Sequence, residues 1–481
     1  MQGFSREPGT TSPVTVTLPA DGERKIWLWA ILIAVGGFLF GFDTGVVSGA
    51  LLYITKDFHL SSSEQGSIVS VLLIGAMVGA LAAGRIADAV GRRKAVTLYG
   101  LVFVLGTLIA VTAQDYGMLL VARVVLGLAV GAASATVPVY LGEISPPNIR
   151  GRILACNQLL ITVGILCSYL IDLAFSHSGS WRAMFAFGAI PAVALSIGVW
   201  FVVPESLAWL LTQGRVEEAK KNLLMVTDEK QADEIIGIYQ QRAVEQRQAD
   251  AGSPAERQSW RVLLTPAVRP ALIVGVTMAA LQQFGGINTI IYYSPTIIEH
   301  TGRSAGNSII YSVYIGVINL VMTIVAIRTV DRLGRRQLLL ISLFLMAGFV
   351  ALLGLSFIWN WNANLTLLFM VAYIASFAGG LGPVFWVLVG ELFPTKAKAE
   401  GSSAATTVNW LSNFIVSQSF LTVANAIGQG ETFLIFAGIC VLGVLFVGRF
   451  VPETKNHTPD EIQEGLFRRF GKKGAPVPSK V

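Results

Sequence analysis

Gly84-Arg85-Ile86-Ala87-Asp88-Ala89-Val90-Gly91-Arg92-Arg93 and, much later, Asp331-Arg332-Leu333-Gly334-Arg335-Arg336 are two copies of one motif. Each follows a long apolar run, and Arg92 and Arg335 lie 243 residues apart. Two further pairs keep nearly the same interval. Glu143, seven residues before Arg150-Gly151-Arg152, is echoed by Glu391, seven before Lys398, at a distance of 248. Pro204-Glu205-Ser206 is echoed by Pro452-Glu453-Thr454, also at 248. Three different motifs at one interval imply a duplicated unit with both copies running the same way.

The apolar runs say what the unit is made of. The 481-residue chain is 53% hydrophobic and 13% charged. Runs of about 20 apolar residues recur, the length at which a helix spans a bilayer. Twelve are legible, at about 26–54, 66–87, 95–113, 116–141, 153–174, 182–203, 268–297, 309–330, 337–359, 365–390, 404–427 and 431–451. A β-barrel would show short alternating segments, and none appear. The fold class expected is an all-α membrane protein, twelve transmembrane helices in two six-helix halves, the parallel repeat of the major facilitator fold. The domains follow: a tail over 1–25, a bundle over 26–203, a polar linker over 204–265, a second bundle over 266–451 and a tail over 452–481. Helical patterning around Val216–Leu224 and Ala232–Gln248 makes the linker a set of helices on the cytoplasmic membrane face.

The net charge of +6 is no sign of nucleic-acid binding, because its placement explains it. With the N-terminus inside, Lys56, Arg182 and Arg303 fall outside and Arg123 within a span; the rest of the 35 Lys and Arg residues are cytoplasmic. That bias puts both termini in the cytoplasm of a multi-pass protein of the cell membrane. No cleavable leader is evident, since residues 1–25 are polar and the first apolar run is a full span. Cys156, Cys167 and Cys440 fall in spans without metal or disulfide spacing. His59, His177, His300 and His457 are scattered. No nucleophile, metal cluster or cofactor motif stands out, so neither an enzyme nor a cofactor is expected.

One span is unusually polar. Leu281-Gln282-Gln283-Phe284-Gly285-Gly286-Ile287-Asn288 runs on to Tyr292-Tyr293-Ser294-Pro295 inside the seventh. Carboxamides at membrane depth need partners, because lipid offers none. Each gives two donors and two acceptor lone pairs without charge, which suits a ligand covered in hydroxyls. On an unbroken helix Gln283 and Asn288 would point apart, so a kink or unwound turn at Gly285-Gly286 is expected to turn both into one cavity.

With these residues in view, the chain resembles the sugar porter family of the major facilitator superfamily. The resemblance rests on the motif at 84–94, Glu143 with Arg150-Gly151-Arg152, Pro204-Glu205-Ser206, the Gln282-Gln283…Asn288 run and Pro452-Glu453-Thr454-Lys455. It covers residues 26 to about 465. Leu207 and Ala208 replace the family's usual Pro and Arg after span six, and Lys398-Ala399 its Arg-Gly pair after span ten; both departures weaken bidentate pairing. The resemblance implies sugar contacts at Gln158, Gln282, Gln283, Asn288, Asn319, Trp386, Asn409, Trp410 and Asn413, an aromatic wall at Phe40 and Phe377, and an outer lid at Tyr292 and Tyr293. Amides bonding to hydroxyls while aromatic rings cover C–H faces is chemistry that fits a pyranose. Gly379-Gly380 and Gly382-Pro383 are expected to give span ten a hinge beside Trp386.

Asp43 in span one and Arg123 in span four are ionisable groups at membrane depth, a functional sign with a named partner. The family's symporters carry Asp at this place and its facilitative members Asn, so the resemblance implies proton coupling through Asp43 and Arg123. Asp172 is expected near the outer membrane face and is a poor competitor. Arg85, Asp88, Arg92, Glu143, Arg150, Asp331, Arg335 and Glu391 are read as salt bridges joining the halves when the cytoplasmic gate is shut. Mere anchoring by positive charge would need neither acids nor fixed spacing.

The resulting expectation is a proton-coupled monosaccharide importer working by alternating access, functional as a monomer in the lipid bilayer. Ile165, two turns after Gln158, stands where xylose-type members have a second glutamine, which favours a hexose such as glucose or galactose. A facilitative uniporter, an inositol carrier and a sugar sensor are the alternatives.

Overall fold

The computed structural model describes residues 19–146, 148–251, 260–299, 305–394, 397–455 and 457–470. The outermost parts of both tails, His300, Arg303 and the side chain of Asp331 lie outside the described residues. The elements are helices. In the first half α1 spans Ala20–Phe58, α2 Ser62–Val90, α3 Arg92–Val111, α4 Tyr116–Ile144 and α5 Arg150–Phe175, and the sixth span is α6 (Trp181–Ala186) followed by α7 (Ala189–Val202). The linker forms α8 (Leu207–Thr212), α9 (Val216–Leu223) and α10 (Glu229–Ala251), close to the expected segments. The second half has α11 (Arg269–Phe284), α12 (Ile287–Glu299), α13 (Ala305–Leu333), α14 (Arg335–Ile358), α15 (Ala363–Ala378), α16 (Leu381–Leu392), α17 (Lys398–Ile427) and α18 (Gln429–Phe450), with α19 (Pro459–Arg469) after it.

Counting each broken span once, these are twelve long helices in two halves. Among the described residues, eleven are long and apolar enough to cross a membrane. The remaining one, α17, falls short because Asn409, Ser412, Asn413, Ser417 and Gln418 interrupt its apolar sequence. Spans seven and ten are broken where their glycine pairs stand. The break in span six, at Phe187-Gly188, was not expected; the rings of Phe42 and Phe103 fill the space a side chain at Gly188 would need.

Two compact units divide the chain differently from the two halves. The first takes the described residues of Met1–Asp43, Ile74–Gly164 and Phe185–Arg257. Close helix contact organises it, as expected where lipid provides no hydrophobic drive between helices. Gly37 and Gly41 of α1 lie so near α5 that a Cβ would collide with Asn157 or with the carbonyl of Ile161. Gly75, Gly79 and Gly131 do the same between α2 and α4. Ser196 of α7 donates to the Thr97 carbonyl of α3 at 3.2 Å.

The second unit takes Thr44–Leu73, Ile165–Met184 and Gln258–Val481. It therefore combines the second half with the C-terminal end of α1, the N-terminal end of α2, the C-terminal end of α5 and residues 181–184 of α6. We call these the far ends. Here Gly45 and Gly49 continue the glycine face of α1, against Ser168 and Asp172 of α5. Neutral hydrogen bonds tie the far ends to the second half. Tyr169 Oη donates to the Ile291 carbonyl at 2.9 Å, Ser70 Oγ to Gln418 Oε1 at 2.5 Å, and Gln418 Nε2 to the Ser63 carbonyl and Ser67 Oγ at 3.2 Å each.

Candidate functional site

The break in the seventh span builds the polar centre of the second unit. Gly286 takes φ of 91°, a left-handed conformation open to glycine, and a Cβ there would also strike the Phe436 ring. The chain therefore leaves α11 at Phe284 and re-enters helix at Ile287. Tyr373 Oη of α15 takes up the freed Gly285 carbonyl at 2.7 Å. This offset brings the amides together, as the sequence led us to expect. Asn288 Nδ2 donates to Gln283 Oε1 at 2.7 Å, and Gln283 Nε2 donates to Asn409 Oδ1 at 3.1 Å and Gln282 Oε1 at 3.3 Å. Gln282 Nε2 in turn reaches the Gly382 carbonyl of α16 at 3.2 Å.

A second polar group lies one turn along α17. Asn413 Nδ2 donates to Tyr292 Oη at 3.3 Å and its carbonyl accepts from Ser417 Oγ at 3.0 Å. Tyr293 Oη is bound to the Ser417 carbonyl at 2.7 Å. Gln282, Gln283, Asn409 and Asn413 are all buried, and Asn288 is half-buried. A connected set of neutral amides and phenols can exchange its internal bonds for those of a polyhydroxyl ligand without leaving a charge unpaired.

The aromatic residues are placed unevenly. Trp386 on α16 is 45% exposed and meets Phe385 edge-on at 5.0 Å between centroids, whereas Trp410 on α17 is buried. Phe377 lies against Gly382, beside the carbonyl that Gln282 holds. Span ten is broken between Ala378 and Leu381, where a hinge was expected. Ser342 of α14 fastens both sides of it, donating to the Ser376 carbonyl at 2.7 Å and accepting from Leu381 N at 3.0 Å. Asn319 is buried on α13. Gln158 and Phe40 belong to the first unit, on α5 and α1, and both are half-buried.

In the first unit Asp43, midway along α1, and Arg123, two turns into α4, form an ion pair. Arg123 Nη1 donates to Asp43 Oδ1 at 2.9 Å and Oδ2 at 3.0 Å, and each residue is 1% exposed. The guanidinium also lies 6.0 Å from the Phe185 ring centroid, so an aromatic face shields it further. A buried pair of this kind is sensitive to loss of either partner.

The duplicated motif closes in the same way in each half. Arg92 donates from Nε to Glu143 Oε2 at 3.0 Å and from Nη2 to Oε1 at 3.3 Å, and lies 2.8 Å from Asp88. Arg335 donates to Glu391 Oε2 at 3.2 Å and Oε1 at 3.0 Å. In this structure the arginine and the acid of each described bridge of the motif belong to one half. The geometry explains it, since both arginines open a helix (α3, α14) beside the end of the acid's helix (α4, α16). Arg150 donates to the Ser145 carbonyl at 2.9 Å, and Arg85 is exposed.

Sequence reasoning treated Glu205 and Glu453 only as markers of the repeat. They cap helices. Glu205 accepts from the backbone of Arg92 at 2.8 Å and Arg93 at 3.2 Å. Glu453 accepts from Arg335 N at 2.9 Å and Arg336 N at 3.1 Å. Gly91 and Gly334, at φ of 95° and 90°, leave room for these carboxylates, which occupy the space a side chain there would need. Burial works against the charge of Glu453, but the N–H groups of Lys455, Arg335, Arg336 and Thr454 outweigh it and hold this acid below its ordinary value of 4.5. The signal was present in the sequence as Gly-Arg-Arg paired with a distant Pro-Glu, and only the duplication hinted at their contact.

Comparison with known proteins agrees with this geometry. The family model "Sugar (and other) transporter" matches residues 29–466. The "Glucose transporter GlcP" of Staphylococcus epidermidis is 39% identical over 453 residues, 92% of this chain and 98% of that one. The "Galactose-proton symporter" of Escherichia coli K12 is 36% identical over 447 residues, 91% of this chain and 93% of the other. Among solved structures, a partially occluded inward-open conformation of the xylose transporter XylE from E. coli matches with a TM-score of 0.78 at 29% identity, covering 90% of this chain and all of that one. The chain belongs to the sugar porter family of the major facilitator superfamily.

Proposed function

We propose that this sugar transporter imports a monosaccharide together with a proton, by alternating access, as a monomer in the cell membrane with both termini in the cytoplasm. The observation that carries the coupling is the buried pair Asp43–Arg123, since a buried acid facing a cation can change charge as its helices move. The positive-inside bias makes the Arg-Arg face cytoplasmic and the far ends external. The amide network of α11, α12 and α17 is read as the polar half of the sugar site, with Trp386, Trp410 and Phe377 as its apolar cover. Gln158, Asn319 and Phe40 complete that assignment. Ile165 leaves α5 without a second amide two turns beyond Gln158, which favours a hexose, glucose or galactose, over a pentose.

The test is paired and uses purified protein in proteoliposomes. Asp43→Asn imitates the protonated acid permanently, so it should exchange labelled sugar in counterflow yet fail to concentrate it under a proton gradient. Competition by glucose, galactose, xylose and inositol ranks the substrates. Accumulation against a gradient by Asp43→Asn protein sinks the coupling role, and wild-type protein that only equilibrates sugar is a uniporter.

A further inference from the structure

Asp172 holds a second acid in the spans, and nothing described so far makes use of it. The sequence placed it near a membrane face. It lies one turn from the end of α5 and is completely buried, with no exposure to solvent. One oxygen, Oδ2, accepts from Gly49 N of α1 at 3.1 Å. The other, Oδ1, is buried and has no hydrogen-bond partner among the described residues. The carboxyl is pressed against α1 so closely that a Cβ on Gly49 would stand 2.5 Å from Oδ2.

No basic side chain pairs with Asp172 among the described residues. The nearby cations are engaged elsewhere: Lys56 lies 3.8 Å from Glu299 and Arg182 3.7 Å from Asp57. The titratable groups that face Asp172 are phenols, Tyr53 from α1 and Tyr169 one turn earlier on α5. Tyr292 of α12 stands beyond Tyr169 and Glu299 of α12 faces Tyr53, so α12 brings no positive charge toward Asp172 either. Tyr53 donates to the Ser176 carbonyl at 2.8 Å and Tyr169 to the Ile291 carbonyl at 2.9 Å. Both hydroxyls are thus directed at backbone oxygens.

A carboxylate with one neutral hydrogen bond and no counter-ion is poorly tolerated in a dry interior, whereas the neutral acid is tolerated far better. Asp43 shows the contrast, because its burial is matched by Arg123. We propose that Asp172 is a second proton-binding residue, which carries its proton while the far ends of α1 and α5 are packed together and releases it as they part and water reaches it. The ligand is a proton from the solution bathing the far ends. Acid on that side then favours the packed arrangement, and through Tyr169 also the tie between α5 and α12. Linkage sets the size: one proton leaves on opening wherever the packed acid is protonated and the opened acid is not. The opening constant therefore rises about tenfold per pH unit between the acid's value in the opened state and its higher value in the packed state, and levels off above the latter.

Hydrogen exchange of the whole protein in nanodiscs tests this, read on peptides covering 45–58 and 166–178 and corrected for the pH dependence of intrinsic exchange. Wild-type protein should lose protection in both segments as pH rises, by about tenfold per unit over at least one unit. Asp172→Asn should stay protected, changing less than twofold across the same range. Asp43→Asn, whatever its effect on the baseline of protection, should keep the loss of protection with rising pH, which separates this site from the coupling pair. A wild-type profile in Asp172→Asn, or a flat profile in wild-type protein, overturns the proposal. A measurement that needs no Asp172 variant is the infrared spectrum of Asp43→Asn protein. Its protonated-carboxyl band should fade with alkali in step with the loss of protection, and a spectrum without that band at neutral pH also overturns the proposal.

Discussion

Asn288 donates to Gln283 across the break in the seventh span, at 2.7 Å, though the two residues lie in different helices. The bond links α11 to α12 across the break. Replacing either amide by alanine removes ligand contacts and strands its partner, at about 1–3 kcal/mol per lost bond. The dissociation constant for sugar, measured by calorimetry on purified protein, should rise about 5- to 150-fold in Gln283→Ala and in Asn288→Ala. Unchanged affinity in either variant would remove that residue from the site.

Arg123→Ala leaves Asp43 as a buried acid without its cation. Breaking such a pair costs about 3–5 kcal/mol, more than the pair contributes over a neutral replacement. Unfolding in detergent should therefore show Arg123→Ala strongly destabilised, with Asp43→Asn in the same chain restoring much of the loss. Equal destabilisation of the single and double variants would mean that Arg123 acts through packing alone.

Arg335 holds both oxygens of Glu391 with two different nitrogens, a geometry lysine cannot reproduce. Arg335→Lys should lower the melting temperature nearly as much as Arg335→Ala, by an amount equivalent to about 1.5–3 kcal/mol. Full recovery with lysine would reduce the bridge to simple charge.

Glu453 gives a prediction in pH. Its carboxyl is held below 4.5 in the folded protein, so its contribution is present above the ordinary carboxylate value and is lost as pH falls through the lowered one. Wild-type stability should decline on acidification through that window. Glu453→Gln should begin lower at neutral pH by about 0.5–2 kcal/mol, the usual cost of a lost helix cap, and decline less. Parallel curves for the two proteins, followed by thermal unfolding across pH, would reject the capping role.

What the sequence made legible were features with a local cause. The breaks at Gly285-Gly286 and Gly379-Gly380 follow from glycine pairs beside amides or proline, and that Arg92 and Glu143 take part in salt bridges follows from charge and repeated spacing. Other features depend on where distant backbone comes to lie. Glu205 and Glu453 bind main-chain N–H groups, which carry no residue signature. Whether the arginine bridges close within a half or between halves depends on helix register, which spacing alone does not fix. The burial of Asp172 was not legible because hydropathy counts distance from a span's end and takes no account of the α1 backbone covering it at Gly49. Ser342 looks like any serine in an apolar helix until the broken ends of α15 and α16 are seen to need a donor and an acceptor.

The polarity of α17 bears on how the chain is made. A ribosome-bound chain enters the bilayer segment by segment, and each segment is judged against lipid by its own apolarity. With Asn409, Asn413, Ser417 and Gln418 uncovered, α17 would be a weak candidate on those terms. Apart from the bond between Asn413 and Ser417, the described partners of these amides lie on elements synthesised more than a hundred residues earlier, among them Gln283, Tyr292 and Ser70. Stable integration of α17 must therefore wait for those earlier helices to be present beside it. The residues read as gripping sugar in the finished transporter are the ones that make its eleventh helix dependent on the order of biosynthesis.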